Sequence, residues 1–299
     1  MKLARLQQAT TLALIGTATT WACYAWRQGR PVAAVVGVCV IAFGHAFILG
    51  LEFLLARSVH GNDPVARATW RQMLSAWRGE VLAAPRVFCW QQPFRSRVWA
   101  DHLPEGAAGR RGVVLIHGFV CNRGVWNAWM QRLTASDLPF VAVDLEPVFG
   151  SIDAYVATIE QAVRRVEAAT GRAPVVVAHS MGGLALRRWW AEQGDAGRLH
   201  HAITIGSPHA GTWLARFAFS INGRQMQIGS GWLQTVAARE SAGQAARMTC
   251  FYGNCDNIVF PPSTSMLAGA DNRHLAAVAH VDMVSSPEPW AELLRRLAD

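Results

Sequence analysis

Lysine is almost missing from this sequence: of 28 basic residues only Lys2 is a lysine, and the others are arginine. Charge of either sign is scarce, at 16% of residues against about 25% in soluble proteins. An arginine- and alanine-rich chain without lysine reflects biased base composition more than a polyanionic partner. No basic run is interleaved with aromatics and no nucleic-acid motif is present, so the net charge of +8 does not point to nucleic acid. Adhesion to anionic lipid stays open. There is no CxxC pair among the six cysteines, which excludes the common zinc spacings, and no metal is expected. Cys250 and Cys255 are close enough in sequence to bridge or to stand as two free thiols. Glycine (26) and proline (13) are too evenly used for a low-complexity tract.

What is abundant is apolar: 52% of 299 residues. Residues 6–26 and 31–51 form two uncharged spans of 21, the second interrupted only by His45. At 1.5 Å per residue each could cover about 30 Å of hydrocarbon, and Trp21, Tyr24 and Trp26 close the first span where aromatics favour an interface. Residues 1–58 therefore read as a two-helix transmembrane anchor, with an uncleaved signal sequence or two buried core helices as the other readings. The loop carries Arg27 and Arg30, while the flanks carry Lys2, Arg5, Arg57, Arg67 and Arg71. That bias puts both termini on the cytoplasmic side of a membrane, the inner one in a bacterium. His45 and Glu52, seven apart, share a helix face and are either functional groups or a packed histidine and a snorkelling acid. Such an anchor would be removable without loss of intrinsic activity.

Residues 59–111 read as a juxtamembrane segment. Ala66, Trp70, Met73, Leu74, Trp77 and Val81 recur at helical steps, with Arg67, Arg71 and Arg78 largely off that stripe. This helix fits a membrane surface or the face of the following domain. Lead-in strands are expected between Pro85 and Gly112.

From residue 112 to the end, short apolar runs alternate with helical stretches. Runs at 113–116, 140–143, 175–178 and 201–205 stop at His117-Gly118-Phe119, Asp144, His179-Ser180 and Gly206-Ser207. Alternation of this kind implies an α/β fold with a mostly parallel central sheet and helices on both faces. Ligands of such sheets bind at the carboxyl ends of the strands, where all of these polar residues fall.

The central motif is Ala178-His179-Ser180-Met181-Gly182. A serine on a sharp strand-to-helix turn needs small neighbours two before and two after it, and Ala178 and Gly182 supply them. This stretch resembles the nucleophile elbow of α/β-hydrolases. With His117-Gly118 and Ser207-Pro208-His209-Ala210-Gly211 it is similar to bacterial lipases and esterases over roughly residues 110–298. Alanine at 178 departs from the commonest glycine and matches a subgroup of those lipases.

The resemblance implies the chain order serine, acid, histidine. Of the histidines after Ser180, His200 and His201 lie at the wrong end of a strand, and His209 resembles a structural position. His280 would emerge at the catalytic end if residues 275–279 are the last strand; His274 is the alternative. Asp256, after a strand and before Ile258-Val259-Phe260-Pro261, resembles the family's acid, with Asp271 and Asp282 as alternatives. Backbone amides of Phe119 and Met181 would bind the oxyanion, while His117, Gly118, His179 and Trp213 would border the substrate. The apolar segment 212–246 would form a lid or a buried crossover, with Gly223, Gly229 and Gly231 as hinges.

The resulting expectation is a membrane-anchored serine hydrolase acting on small-molecule or lipid esters without a cofactor. A thioesterase or acyltransferase with the same triad is the near alternative, and a non-catalytic membrane adaptor the distant one. Nothing in the sequence bears on oligomeric state.

Overall fold

The apolar runs of the second half assemble into one six-stranded, wholly parallel sheet, ordered β2-β1-β3-β4-β5-β6. The computed structural model describes residues 2–193, 196–241 and 243–299. The strands are β1 (Val113–Ile116), β2 (Phe140–Ala142), β3 (Val175–His179), β4 (His201–Ile205), β5 (Met248–Gly253) and β6 (Asp271–Leu275). Every residue of β1 to β4 is buried, as strands covered on both faces must be.

Side-chain alternation divides the core in two. Val114, Ile116, Val176 and Ala178 meet α6 (Val156–Thr170) and α7 (Met181–Gln193) through Ile159, Val163, Leu184 and Trp189. On the opposite face, Val113, Leu115, Val175 and Val177 meet α5 (Asn127–Ala135) and α10 (Pro287–Ala298) through Trp129, Met130, Leu133 and Leu293. Helix α6 stops at Gly171, whose φ of +68° a residue with a Cβ adopts only under strain.

Ahead of the sheet lie α1 (Lys2–Arg27) and α2 (Pro31–Val59), packed as a hairpin and tied near its turn by Trp21, which donates to the Ala33 carbonyl at 2.9 Å. Among the described helices, only α2 is long and apolar enough to cross a membrane; α1, which covers the first expected span, falls short. Its threonines instead turn back on the helix, Thr11 and Thr19 donating to carbonyls four residues earlier. Large apolar side chains of both helices, among them Leu12, Tyr24, Val40, Phe43 and Phe47, lie exposed.

Helix α3 (Trp70–Pro85) begins where Thr69 and Gln72 form a capping box, so it starts later than the apolar stripe suggested. The stripe is also rotated. Met73, Ala76 and Glu80 are buried, whereas Trp70, Leu74 and Leu82 are exposed. Beyond Pro85 the expected lead-in strands are replaced by helix: a π turn over Arg86–Gln91 runs into α4 (Gln92–Phe94). Proline cannot donate the usual amide bond, and a widened turn follows it. Among the described residues this stretch pairs with the sheet through one antiparallel bridge, His102 with Phe140.

The last strand also departs from expectation. Residues 271–275, mostly polar, form β6, because an edge strand is half exposed. The apolar residues after it leave the sheet: Ala277 turns at φ +60°, and Ala279 is wholly buried under Phe53 of α2 and Ala76 of α3. A boundary at residue 58 thus cuts through a packed interface. Phe53→Ala should open a cavity beneath Ala279 and Cys255 and cost about 3–5 kcal/mol. Denaturation of full-length protein in detergent checks this, and an unchanged midpoint would count against the packing.

Candidate active site

Ser180 sits between β3 and α7 with φ +56°, a left-handed conformation rare for a residue with a side chain. The turn holds because its surroundings are glycine. A Cβ on Gly182 would come within 2.6 Å of the His117 carbonyl oxygen, and one on Gly118 within 2.7 Å of the Ser180 Cβ. Strand pairing continues into the turn, the Ser180 amide donating to the Ile205 carbonyl at 2.9 Å.

Two loops from distant parts of the chain meet this serine. The Ser180 Oγ lies 2.9 Å from His280 Nε2, and His280 Nδ1 lies 2.9 Å from Asp256 Oδ2. All three residues are buried. The other oxygen of Asp256 accepts the amides of Ile258 and Val259, both at 2.8 Å, which fixes the carboxylate. An ionised carboxylate only accepts, so Nδ1 carries the proton and Nε2 is left to accept from the Ser180 hydroxyl. Burial alone would pull the His280 imidazole down, but the charge and hydrogen bond of Asp256, with the charges of Glu80 and Glu52, raise it above its ordinary value.

The other expected residues take mixed places. Gly118 lies against Ser180, with Phe119 next to it and packed edge-on to Phe149 at 5.8 Å between ring centres. Met181 starts α7 directly after the serine. His117, expected to border the substrate, is a buried strut: Nδ1 donates to the Gly118 carbonyl and Nε2 accepts the Leu145 amide, each at 2.9 Å. His179 is likewise behind the site, donating from Nε2 to the His280 carbonyl at 3.1 Å. Its burial and the nearby His280 hold it well below the ordinary histidine value, so it is neutral. Trp213 stacks on Phe260 at 5.9 Å and carries the Arg216 guanidinium 4.2 Å above its ring.

The alternatives lie elsewhere. His274 of β6 packs at a tilt against Tyr252 of β5, and Asp271 pairs with Arg273. His209 meets Thr204 in the buried turn after β4, the structural place foreseen for it. Cys250 and Cys255 are free buried thiols, each pushed by burial up to about 11. Among the described residues no cluster of three or more His, Cys, Asp or Glu could hold a metal.

Of the segment expected as a lid or crossover, residues 212–241 and 243–246 are described and include the short helices α8 (Ile221–Gln225) and α9 (Gly231–Arg239). Its underside is tied down by Asn222 to the Val148 carbonyl, Gln225 to the Ile152 amide and Trp232 to Asp153. Its outer side leaves Phe217, Phe219 and Ile221 exposed, Phe219 at 91%.

Three neighbours of His280 were not anticipated: Asn257, Glu52 and Glu80. Glu80 had a signal, since it falls seven residues after Met73 and four after Ala76 on the buried face of α3.

The Alpha/beta hydrolase family matches residues 113–298. Among solved structures, a lipase of Bacillus licheniformis, BlEst2 in its mature form, is 16% identical with a TM-score of 0.56, covering 65% of this chain and 94% of that one. Lipase B of Aspergillus fumigatus is 20% identical at the same TM-score, 0.56, covering 69% of this chain and 57% of that one. No curated protein matches the sequence. The likeness to both structures is one of fold, and the family match spans the sheet from its first strand to its closing helix: the chain belongs to the α/β hydrolase family.

Proposed function

We propose that this protein is a membrane-anchored serine hydrolase that cleaves carboxylic esters of apolar acyl chains. The observation that carries the reading is the unbroken relay Asp256–His280–Ser180 at the carboxyl edge of the sheet. A serine hydroxyl becomes a competent nucleophile when a base takes its proton, and His280 is placed to do so. Ser180 Oγ attacks the ester carbonyl while its proton moves to His280 Nε2. The imidazolium, held by Asp256, then gives that proton to the departing alcohol, leaving an acyl-serine. Water attacks next, again through His280, and the acid is released. The amides of Phe119 and Met181 are the donors for the oxyanion, helped by the positive end of α7.

Lipid-like esters are favoured by the apolar rim. Phe119 and Phe149 lead from the serine toward a groove of about 800 Å³ lined by Leu3, Leu6, Val148 and Phe149. The first turns of α1 and the last turns of α2 both abut the catalytic edge, so a bilayer holding the hairpin tip lies near the site. The arginine bias puts the catalytic domain on the cytoplasmic side.

Three outcomes follow. Ser180→Ala should abolish hydrolysis of a p-nitrophenyl acyl ester and labelling by a fluorophosphonate, and Asp256→Asn should lower kcat by about 10⁴-fold; undiminished turnover in Ser180→Ala sinks the assignment. Because the His280 imidazole is raised, it stays protonated to higher pH than a free histidine. The acid limb of kcat/KM should therefore lie above the free-histidine value of about 6.5, and a limb well below that value speaks against His280 as the base. Finally, alkaline carbonate should leave the full-length protein in the membrane pellet; its release would remove the anchor from the reading.

A further inference from the structure

The loop that carries His280 is held by side chains from outside the matched family segment. Its amide donates to Asn257 Oδ1 at 3.2 Å, and Asn257 in turn donates to Glu52 Oε2 of α2 at 2.7 Å. The next two amides, of Val281 and Asp282, donate to the Glu80 carboxylate of α3 at 3.1–3.2 Å. Three successive backbone donors thus end on two glutamates that precede residue 113. The approach is close: a Cβ on Gly79 would lie 2.4 Å from the Asp282 carboxylate, so a glycine there lets the α3 backbone come up to the loop. Glu80 is 1% exposed and, among the described residues, forms no ion pair; its partners are those amides.

We propose that Glu80, and Glu52 acting through Asn257, are positioning residues that aim the His280 imidazole at Ser180 and hold negative charge behind it. On this view α2 and α3 complete the active site as well as tether it, which rests on the catalytic reading above. Two effects follow from the geometry. The clamp removes freedom from residues 280–282, so the imidazole keeps its distance to the serine. The charges also favour the imidazolium that forms during attack, adding to Asp256 across a buried site.

The groups facing His280 are Asp256 from the loop after β5, Glu80 from α3, Glu52 from α2 and the neutral His179 of β3. Those facing Glu80 are His280 and Asp256, with Asp282 beside it and Arg86 acting on Asp282. Burial pushes the Glu80 carboxyl up to about 7, against the pull of His280 and the two amides. Below that value one oxygen becomes a donor and cannot serve the amides as a carboxylate does. Clamp and charge are therefore complete on the alkaline side and weaken together as pH falls.

The test compares full-length wild type, Glu80→Gln, Glu80→Ala and Glu52→Gln in detergent micelles. Hydrogen exchange over residues 279–285 reads the clamp, and the pH dependence of p-nitrophenyl ester hydrolysis reads the charge. Glu80→Gln should speed exchange of the Val281 and Asp282 amides, lower kcat about tenfold or more with little change in KM, and move the acid limb to lower pH. Glu52→Gln, which leaves α3 intact, should do the same more weakly. Unchanged exchange in all three variants overturns the clamp, and an unshifted limb with wild-type kcat overturns the catalytic part. If wild type itself neither hydrolyses ester nor labels at Ser180, the catalytic reading falls, while exchange still decides the clamp.

Discussion

A buried imidazole has no water to fall back on, so every group around His280 must be an acceptor, a donor or a charge supplied by the protein. Asp256 takes Nδ1, Ser180 offers its hydroxyl to Nε2, and His179 donates to the backbone carbonyl. Asn257 and Glu80 take the amides of His280, Val281 and Asp282. These partners come from β3 and the turn after it, from the loop after β5 and from α3, and Asn257 is itself held by Glu52 of α2. Remove any element and a buried polar group is left without a partner, which costs more than the bond itself is worth.

The serine is under a different constraint. Its left-handed turn stores strain that the sheet must oppose. β1 and β4 do so on either side: Gly182 lies against the end of β1, and the Ser180 amide is tied to Ile205 of β4. The same crowding that rules out a Cβ at Gly118 brings the Gly118–Phe119 segment against Ser180. The strained turn and the nearness of the Gly118–Phe119 backbone are thus two consequences of one close approach.

Helices α1 to α3 join an exposed apolar surface to the α/β hydrolase fold. Their outer faces are apolar and unpartnered, as lipid contact allows. Their inner faces carry Glu52, Phe53, Ala76 and Glu80 onto the loops at 255–257 and 279–282. The interface is therefore mixed, apolar at Phe53, Ala76 and Ala279 and charged at the two glutamates. Hydrophobic burial can hold the helices there, and the hydrogen bonds fix their register against the loops.

Much of the hydrolase half was legible in the sequence, because its signals are local. A run such as residues 175–178 is long enough to need burial on both faces, and the elbow at 178–182 states its own steric rule within five residues. Asp256 and His280 could be ranked by family order and by the strand ends they were expected to follow, and it is their convergence on Ser180 that singles them out from Asp271 and His274. The end of the sheet was misread because an edge strand needs only one buried face, so polar residues at 271–274 could form it while 276–279 turned away. Between Pro85 and Gly112, where lead-in strands are expected, residues 86–94 are helix instead, because a π turn carries the helix past the proline. That Glu80, Glu52 and Asn257 meet the His280 loop has no trace in the sequence, for a more general reason. Sequence by itself determined periodicity, turn chemistry and the order of the strands' polar ends, all of which act over a few residues. Only the tertiary structure decided which side chains from α2 and α3 meet the His280 loop some 200 residues later, since hydrogen bonds across that separation leave no pattern along the chain.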